Sequence, residues 1–200
     1  MYRIYGDMLS GNCYKIKLLM QLLHVEHEWT HVDILNNETN TKEFLGMNAN
    51  AKIPVLEINK SEYISESNAI LHYFADGSDY LPSSRLERTK VLQWQFFEQY
   101  SHEPNIAVAR YINTYLGLPV ERLDEYKSKQ KGGHKALLVM ESQLSQYDFL
   151  VGSRPSIADI SLFAYTHVAH EGGFDLKRYP HINAWIKSIK ALPNYIEMKR

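Results

Sequence analysis

A chain of 200 residues with 44% apolar and 22% charged residues is long enough for one large or two small domains, and its composition excludes wholesale disorder. The net charge of −1 and the absence of a repeated basic cluster exclude a non-specific nucleic-acid binder. No uncharged apolar run approaches about 18 residues and the first residues show no leader pattern, so we expect neither a membrane span nor a signal peptide. Cys13 is the single cysteine, which excludes an intrachain disulfide and favours a reducing, cytoplasmic location.

The first 76 residues alternate between strand-like and helix-like patterns. Short β-prone runs predict strands, and apolar residues spaced i, i+3, i+4, i+7 predict amphipathic helices. The predicted elements are a strand Tyr2–Gly6, a helix Asn12–His24, a strand His27–Asp33, a short helix Thr41–Met47, strands Lys52–Ile58 and Tyr63–Ile64, and a helix Ser67–Ala75. The order is therefore βαβ followed by αββα.

The pattern changes after residue 77. Residues 78–84 have the composition of a linker, and the rest of the chain shows helical periodicity over about 85–115, 120–146, 156–170 and 180–191. Pro104 should kink the first of these helices, and Ser156 with Asp159 has the spacing of a capping box. We predict an α/β domain over residues 1–77 and an all-helical domain over residues 85–200.

The stretch HEWTH, His27–His31, matches the zinc-protease pattern H-E-x-x-H. That chemistry requires both histidines on one helical turn, where side chains at i and i+4 share a metal ion. On the predicted strand the two histidines would lie roughly 13 Å apart. We therefore expect ordinary strand and surface histidines, and no metal.

Three short segments occur in an order typical of one family: a loop ending at Ser10, the pair Ile53-Pro54 within KIPVLE, and the pair Glu66-Ser67 within SEYISESNAILHYFA. QWQFFEQ (residues 93–99) and SIAD (residues 156–159) follow. Through nearly its whole length the chain resembles the glutathione S-transferases. The resemblance implies a thioredoxin-like domain followed by a helical bundle domain.

The resemblance assigns the glutathione-binding residues. It implies a cis peptide bond before Pro54, so that Ile53 presents its backbone to the cysteinyl unit, although a trans proline at a strand start is equally common from sequence alone. Glu66 and Ser67 would hold the γ-glutamyl end at a helix N-terminus, where Ser67 can also act as an ordinary cap. Ala51 stands where serine-type relatives have a histidine, and we expect Lys52 to hold the glycyl carboxylate instead.

Ser10 is the expected catalytic residue. In serine-type members of the family, this hydroxyl donates a hydrogen bond to the glutathione sulfur and favours its thiolate. Cys13 is the rival, because some branches form a mixed disulfide at a cysteine near a helix start, although a buried packing cysteine is the simpler interpretation. A backbone amide near Asn12 and the Tyr5 hydroxyl are the remaining alternative donors, with Tyr5 expected in the core.

The resemblance implies a cytosolic enzyme that adds glutathione to a small apolar electrophile and forms twofold homodimers, without nucleic acid or membrane partners. In the family the first domain of one subunit lies against the helical domain of the other. Residues 1–78 carry 6 basic and 10 acidic side chains and the remainder 16 and 13, opposite net charges that are compatible with this pairing. His102 is our candidate for an accessory polar group near the electrophile. Alternatives are a non-catalytic binding module of the same fold, or a glutathione-dependent isomerase, dehalogenase or disulfide reductase.

Overall fold

A computed structural model describes residues 1–198 and divides the chain into two compact units. The first unit contains Met1–Ser78 together with the segment that begins at Pro193, and the second contains Asp79–Leu192. The sequence-based prediction had one helical domain over 85–200, whereas the structure groups the segment after Leu192 with the first unit. The contacts that place this segment are made by side chains far away in the sequence, which local periodicity does not register.

The first unit is a four-stranded sheet with three helices. Its elements are β1 Tyr2–Gly6, α1 Gly11–Leu22, β2 His27–His31, α2 Lys42–Met47, β3 Val55–Asn59, β4 Glu62–Ser65 and α3 Ser67–Ala75. The strand order is β2-β1-β3-β4, with β1 and β2 parallel and the other two pairs antiparallel. The predicted βαβ and αββα order is confirmed.

The sheet of the first unit is covered on both faces. On one face Ile4 and Leu56 pack with Ile16 of α1 and Ile70 of α3 in a fully buried cluster. On the other face Val55 packs with Val32 and Phe44, the latter from α2. Because side chains alternate along a strand, neighbouring residues such as Leu56 and Val55 supply opposite layers.

The second unit is entirely helical within the described residues. Its α-helices are α4 Arg85–Phe97, α5 Glu103–Arg110, α6 Leu123–Leu144, α7 Ile157–Thr166 and α8 Pro180–Lys190. A π-helical turn at Glu98–His102 joins α4 to α5, so the helical stretch predicted over 85–115 is present with altered geometry where Pro104 was expected to disturb it. Pro104 occupies the first turn of α5, where its missing N–H costs no intrahelical bond.

Several buried hydrogen bonds meet at the start of α7 in the second unit. Ser156 and Asp159 form the predicted capping box. The fully buried Asp159 carboxylate also accepts hydrogen bonds from the Leu150 N–H and the Trp185 indole N–H, each 2.9 Å long. Burial raises the pKa of Asp159, and these hydrogen bonds act in the opposite direction.

Across residues 1–198, the structure contains no helix with the length and apolar character needed to cross a lipid bilayer.

Candidate functional site

The three segments that the sequence singles out, around Ser10, Ile53-Pro54 and Glu66-Ser67, lie beyond the strand ends on one side of the sheet. We call this row of strand ends the sheet edge. Tyr5 of β1 pairs with Val55 of β3, and Val55 pairs with Ser65 of β4. After β1 the chain enters the loop that ends at Ser10. Pro54 directly precedes Val55 at the start of β3, and Glu66-Ser67 directly follows Ser65 at the end of β4. The sheet register therefore brings all three segments to the same edge.

Ser10 is the residue that precedes α1, and its side chain does not cap that helix. Its carbonyl oxygen accepts the N–H groups of Cys13 (3.1 Å) and Tyr14 (2.8 Å). Buried Asp7 fixes the preceding turn, because its carbonyl oxygen accepts the Ser10 N–H and its carboxylate accepts the Leu9 N–H. The half-buried Ser10 hydroxyl is thus held on a rigid backbone and is not used to satisfy the helix.

Cys13 is fully buried in the first turn of α1. Its Sγ packs so closely on β1 that a Cβ added at Gly6 would lie 2.6 Å from it. Burial raises the pKa of the Cys13 thiol to about 12, against the opposing effect of a hydrogen bond with the Ser10 side chain. The thiol has neither the access nor the thiolate population that a mixed disulfide requires, so Cys13 takes the packing role.

The loop before β3 is held by Asn48, a residue for which the sequence suggested no role. Its buried side-chain amide donates to the Lys52 carbonyl oxygen (2.7 Å), and its Oδ1 accepts the Asn50 N–H (3.0 Å). Ala51 adopts a positive φ of 52° between these contacts, and the Ile53–Pro54 peptide bond that follows is cis. This loop explains why β3 begins at Val55 and not at the predicted Lys52; Lys52 itself is exposed.

The start of α3 is linked to the start of α1. The Ser67 hydroxyl, 5% exposed, donates to Asn12 Oδ1 over 3.2 Å. Glu66 precedes the helix with φ 66° and ψ 110°, a conformation uncommon for a residue with a Cβ, and its exposed side chain does not cap α3. Such backbone geometry is maintained by the surrounding structure and is concentrated at ligand sites.

The assembled groups suit a ligand with a particular set of charges. Helix N-termini favour anions through their free N–H groups and dipole. The exposed Lys52 and Glu66 add one cationic and one anionic side chain. A ligand that carries both carboxylate and ammonium groups would find complementary charges there.

Three other candidates from the sequence have other contacts in the structure or lack the arrangement that their expected role requires. His102 is fully buried in the second unit, with Nε2 2.8 Å from Thr166 Oγ1, so it is a core residue and not an accessible accessory group. The Tyr5 hydroxyl donates to Glu57 (2.9 Å) within the sheet. His27 and His31 lie on β2, and within residues 1–198 no group of three or more His, Cys, Asp or Glu side chains is placed to hold a metal ion.

Known proteins resemble the chain over both units. Residues 9–76 match the family model of the glutathione S-transferase N-terminal domain, and residues 99–193 match that of the C-terminal domain. A glutathione S-transferase structure from Pseudomonas fluorescens is 58% identical, covers 100% of this chain and 99% of its own, and gives a TM-score of 0.98.

Two further proteins are similar at lower identity. A glutathione S-transferase structure from Xanthobacter autotrophicus is 43% identical, with 99% of this chain and 97% of that chain covered and a TM-score of 0.92. Glutathione S-transferase 2 of Anopheles gambiae is 28% identical over 187 residues, which cover 91% of this chain and 87% of the mosquito protein.

Proposed function

This chain belongs to the glutathione S-transferase family, and from that premise we propose that the sheet edge described above binds glutathione and that Ser10 stabilises its thiolate. The observation that carries the proposal is the Ser10 hydroxyl. It lies at the start of a 12-residue helix, is not used as that helix's cap, and shares an edge with Pro54 and Ser67.

A hydroxyl at this position lowers the pKa of a bound thiol because it donates to the anion and lies at the positive end of the helix dipole. A decrease of about 2 units from roughly 8.5 would raise the thiolate fraction at pH 7 from about 3% to about 75%. The lower basicity of the sulfur reduces its intrinsic nucleophilicity, so the net gain in rate is only about threefold. Positioning of the electrophile supplies most of the remaining acceleration.

The other residues at the sheet edge each bind a different part of glutathione. The Ile53 backbone faces the cysteinyl unit, Lys52 pairs with the glycyl carboxylate, and Glu66 pairs with the γ-glutamyl ammonium group. Ser67 and the N-terminus of α3 receive the γ-glutamyl carboxylate, and the Ser67 hydroxyl, which donates to Asn12 Oδ1 over 3.2 Å, donates to this carboxylate instead when glutathione binds. The glutathione sulfur then forms a bond to carbon of a small apolar electrophile, and either a leaving group departs or the adduct takes up a proton.

We also propose a cytoplasmic homodimer in which the first unit of one subunit packs against the second unit of its partner. The second unit has a groove between α4 and α6 that is lined by Trp94, Phe97, Leu138 and Val139 together with polar side chains such as Gln93 and Lys135, and Phe96 of α4 is exposed. An exposed apolar patch of this kind is typical of an interface. The expected result is a dimeric mass by light scattering at micromolar concentration, and Phe96→Glu should shift it to the monomer; a monomeric wild type would contradict the dimer.

Glutathione binding is tested by thermal unfolding. Millimolar glutathione should raise the melting temperature of the wild type, because any ligand selective for the folded state stabilises it. Ser67→Ala should reduce that increase. An unchanged wild-type melting temperature would remove the basis of the proposal.

The role of Ser10 is tested by the absorbance of the bound thiolate. Ser10→Ala should raise the apparent pKa of bound glutathione and lower conjugation of an activated aryl halide in parallel, with little change in glutathione affinity. Cys13→Ala is the matched control and should leave the thiol pKa near that of the wild type. Loss of turnover in Cys13→Ala, with a glutathione adduct on Cys13 in the wild type by mass spectrometry, would instead indicate disulfide exchange.

A further inference from the structure

The segment formed by residues 193–198 makes contacts near both ends of α1, within the first unit. The Tyr14 hydroxyl donates to the Ile196 carbonyl oxygen over 2.8 Å and lies 3.4 Å from the Tyr195 hydroxyl. Just after α1, the Asn194 side-chain nitrogen lies 3.1 Å from His24 Nε2. The segment is therefore joined to this helix region at two separate places.

Tyr14 connects this segment to the catalytic turn. It is 2% exposed and lies in the first turn of α1, directly after Cys13. Its N–H donates to the Ser10 carbonyl oxygen over 2.8 Å, so one residue is bonded to Ser10 through its backbone and to Ile196 through its side chain.

The Tyr14 hydroxyl needs the contact with Ile196. A buried hydroxyl without a partner is costly, and the Ile196 carbonyl oxygen accepts its proton over 2.8 Å, a shorter distance than the one to the Tyr195 hydroxyl. Burial raises the pKa of Tyr14, so the hydroxyl stays protonated and remains a donor at every pH at which the protein works. Deprotonation of Tyr14 therefore does not break this bond near neutral pH.

We propose that residues 193–198 form a strap that holds the first turn of α1 in place, and that Tyr14 is the positioning residue through which the strap aims the Ser10 hydroxyl at the glutathione sulfur. The inference rests on the proposed function, because it takes Ser10 as the donor to the thiolate. When the bond between Tyr14 and Ile196 is lost, the first turn of α1, whose N–H groups bond to the Ser10 carbonyl oxygen, is held less firmly. The Ser10 hydroxyl is then less well placed when a thiolate forms.

Cys13 is a built-in probe of the strap, since it is the single cysteine and is fully buried beside Tyr14. Without glutathione present, the rate at which a small maleimide labels Cys13 measures how often the first turn opens. Tyr14→Phe removes the hydroxyl and keeps the ring, and we expect labelling at least about fivefold faster than in the wild type. Tyr195→Ala weakens the strap from its own side, leaves α1 unchanged, and should also accelerate labelling.

Tyr126→Phe is the matched control. The Tyr126 hydroxyl also donates to a backbone carbonyl, that of Gly172 (3.1 Å), but in the second unit. The substitution removes the same atom from the same kind of bond, so it reproduces a general loss of stability without touching α1. We expect its Cys13 labelling rate to equal that of the wild type.

The link to Ser10 is measured as the apparent pKa of bound glutathione. In Tyr14→Phe this pKa should rise by about half a unit, equivalent to an approximately threefold lower thiolate-to-thiol ratio, while KM for glutathione changes less than about twofold. Tyr126→Phe should change neither value. A residue that only stabilised the fold would lower the melting temperature and leave the thiol pKa unchanged.

Three results would overturn the strap, the positioning role or the proposed function in distinguishable ways. Wild-type labelling rates in both Tyr14→Phe and Tyr195→Ala would overturn the strap. Faster labelling with an unchanged pKa of bound glutathione would overturn the positioning role of Tyr14. Failure of the wild type to bind glutathione would contradict the proposed function, and in that case the labelling rates still decide whether the strap exists; Tyr195→Ala serves if Tyr14→Phe does not fold.

Discussion

Ser10 before α1 and Ser156 before α7 occupy the same position on their helices, yet they use their hydroxyl groups differently. Ser156 is buried, accepts the Ala158 N–H, and donates to Asp159. Ser10 is half-buried and does not cap its helix. In the second unit the serine caps its helix, whereas in the first the Ser10 side chain is hydrogen-bonded to the Cys13 thiol and the helix is left without a side-chain cap.

These two serines show how one residue type at one position serves either stability or chemistry. A helix start with a complete capping box has two otherwise unpaired donors occupied, which leaves fewer for a ligand. A helix start whose serine does not cap leaves N–H groups and a hydroxyl available, at some cost in stability. The residue three positions later determines whether the serine caps its helix. Asp159 lies three residues after Ser156, whereas Cys13, a much weaker hydrogen-bonding partner, lies three residues after Ser10.

The largest expected effect is the loss of stability caused by Asp159→Ala at the start of α7. Asp159→Ala removes the acceptor for the Leu150 N–H, the Trp185 indole N–H and both donors of Ser156, which stay buried. Because each orphaned donor loses its hydration without compensation, the free energy of unfolding should fall by about 3–5 kcal/mol, measured by urea denaturation.

Asp124→Ala is the control for that experiment. Asp124 also lies in the first turn of a helix, α6, but its side chain is fully exposed. Its removal should leave the urea midpoint unchanged, since exposed charges contribute little. Equal effects of the two substitutions would mean that the buried network contributes nothing beyond an ordinary helix-start charge.

A second prediction concerns His167, near the other end of α7. Burial lowers its pKa to about 4, while its Nδ1 lies 2.7 Å from the Phe163 carbonyl oxygen and Lys190 and Arg110 add smaller effects in the same direction as burial. Between pH 6.5 and pH 4 the unfolded chain binds a proton that the folded chain does not. The free energy of unfolding should therefore fall by about 3 kcal/mol as the pH drops through this range.

The pH dependence can be assigned to His167 by substitution. His167→Gln keeps a side-chain donor and does not titrate, so urea titrations of this variant at pH 6.5 and pH 4 should show a correspondingly smaller difference. His170→Gln, at an exposed position three residues away, should retain the wild-type difference. If His167→Gln keeps the full difference, another group is responsible for it.

Much of this architecture could be predicted from the sequence because it depends on local patterns. The strand–helix alternation, the capping box and the segments around Ser10, Pro54 and Ser67 each show within a few residues. Three features depend on contacts between distant residues: the burial of His102 against Thr166, the packing of Cys13 on Gly6, and the return of Ile196 to Tyr14. No periodicity carries that information.

The loop before Pro54 is an intermediate case. Its hydrogen bonds from Asn48 are local, and an asparagine followed by a second asparagine two residues later is compatible with a side-chain-stabilised turn. A strand was predicted from Lys52 because KIPVLEI is a short β-prone run. The turn overrides that pattern up to Pro54, and the pattern holds from Val55 onward.

The smallest effect completes the comparison of the two serines. Ser156→Ala removes a cap that is also a donor to a buried carboxylate, and should lower the free energy of unfolding by about 1–2 kcal/mol. Ser10→Ala should change it by less than about 0.5 kcal/mol in the absence of glutathione, because this hydroxyl does not cap α1. The effects on the pKa of bound glutathione should follow the opposite order. Ser10→Ala should raise this pKa, and Ser156→Ala should leave it unchanged. Urea denaturation of both variants, with thiolate absorbance in parallel, measures the two properties separately. A loss of stability in Ser10→Ala equal to that of Ser156→Ala would mean that both hydroxyls serve the fold, and the availability of Ser10 for a ligand would have to be abandoned.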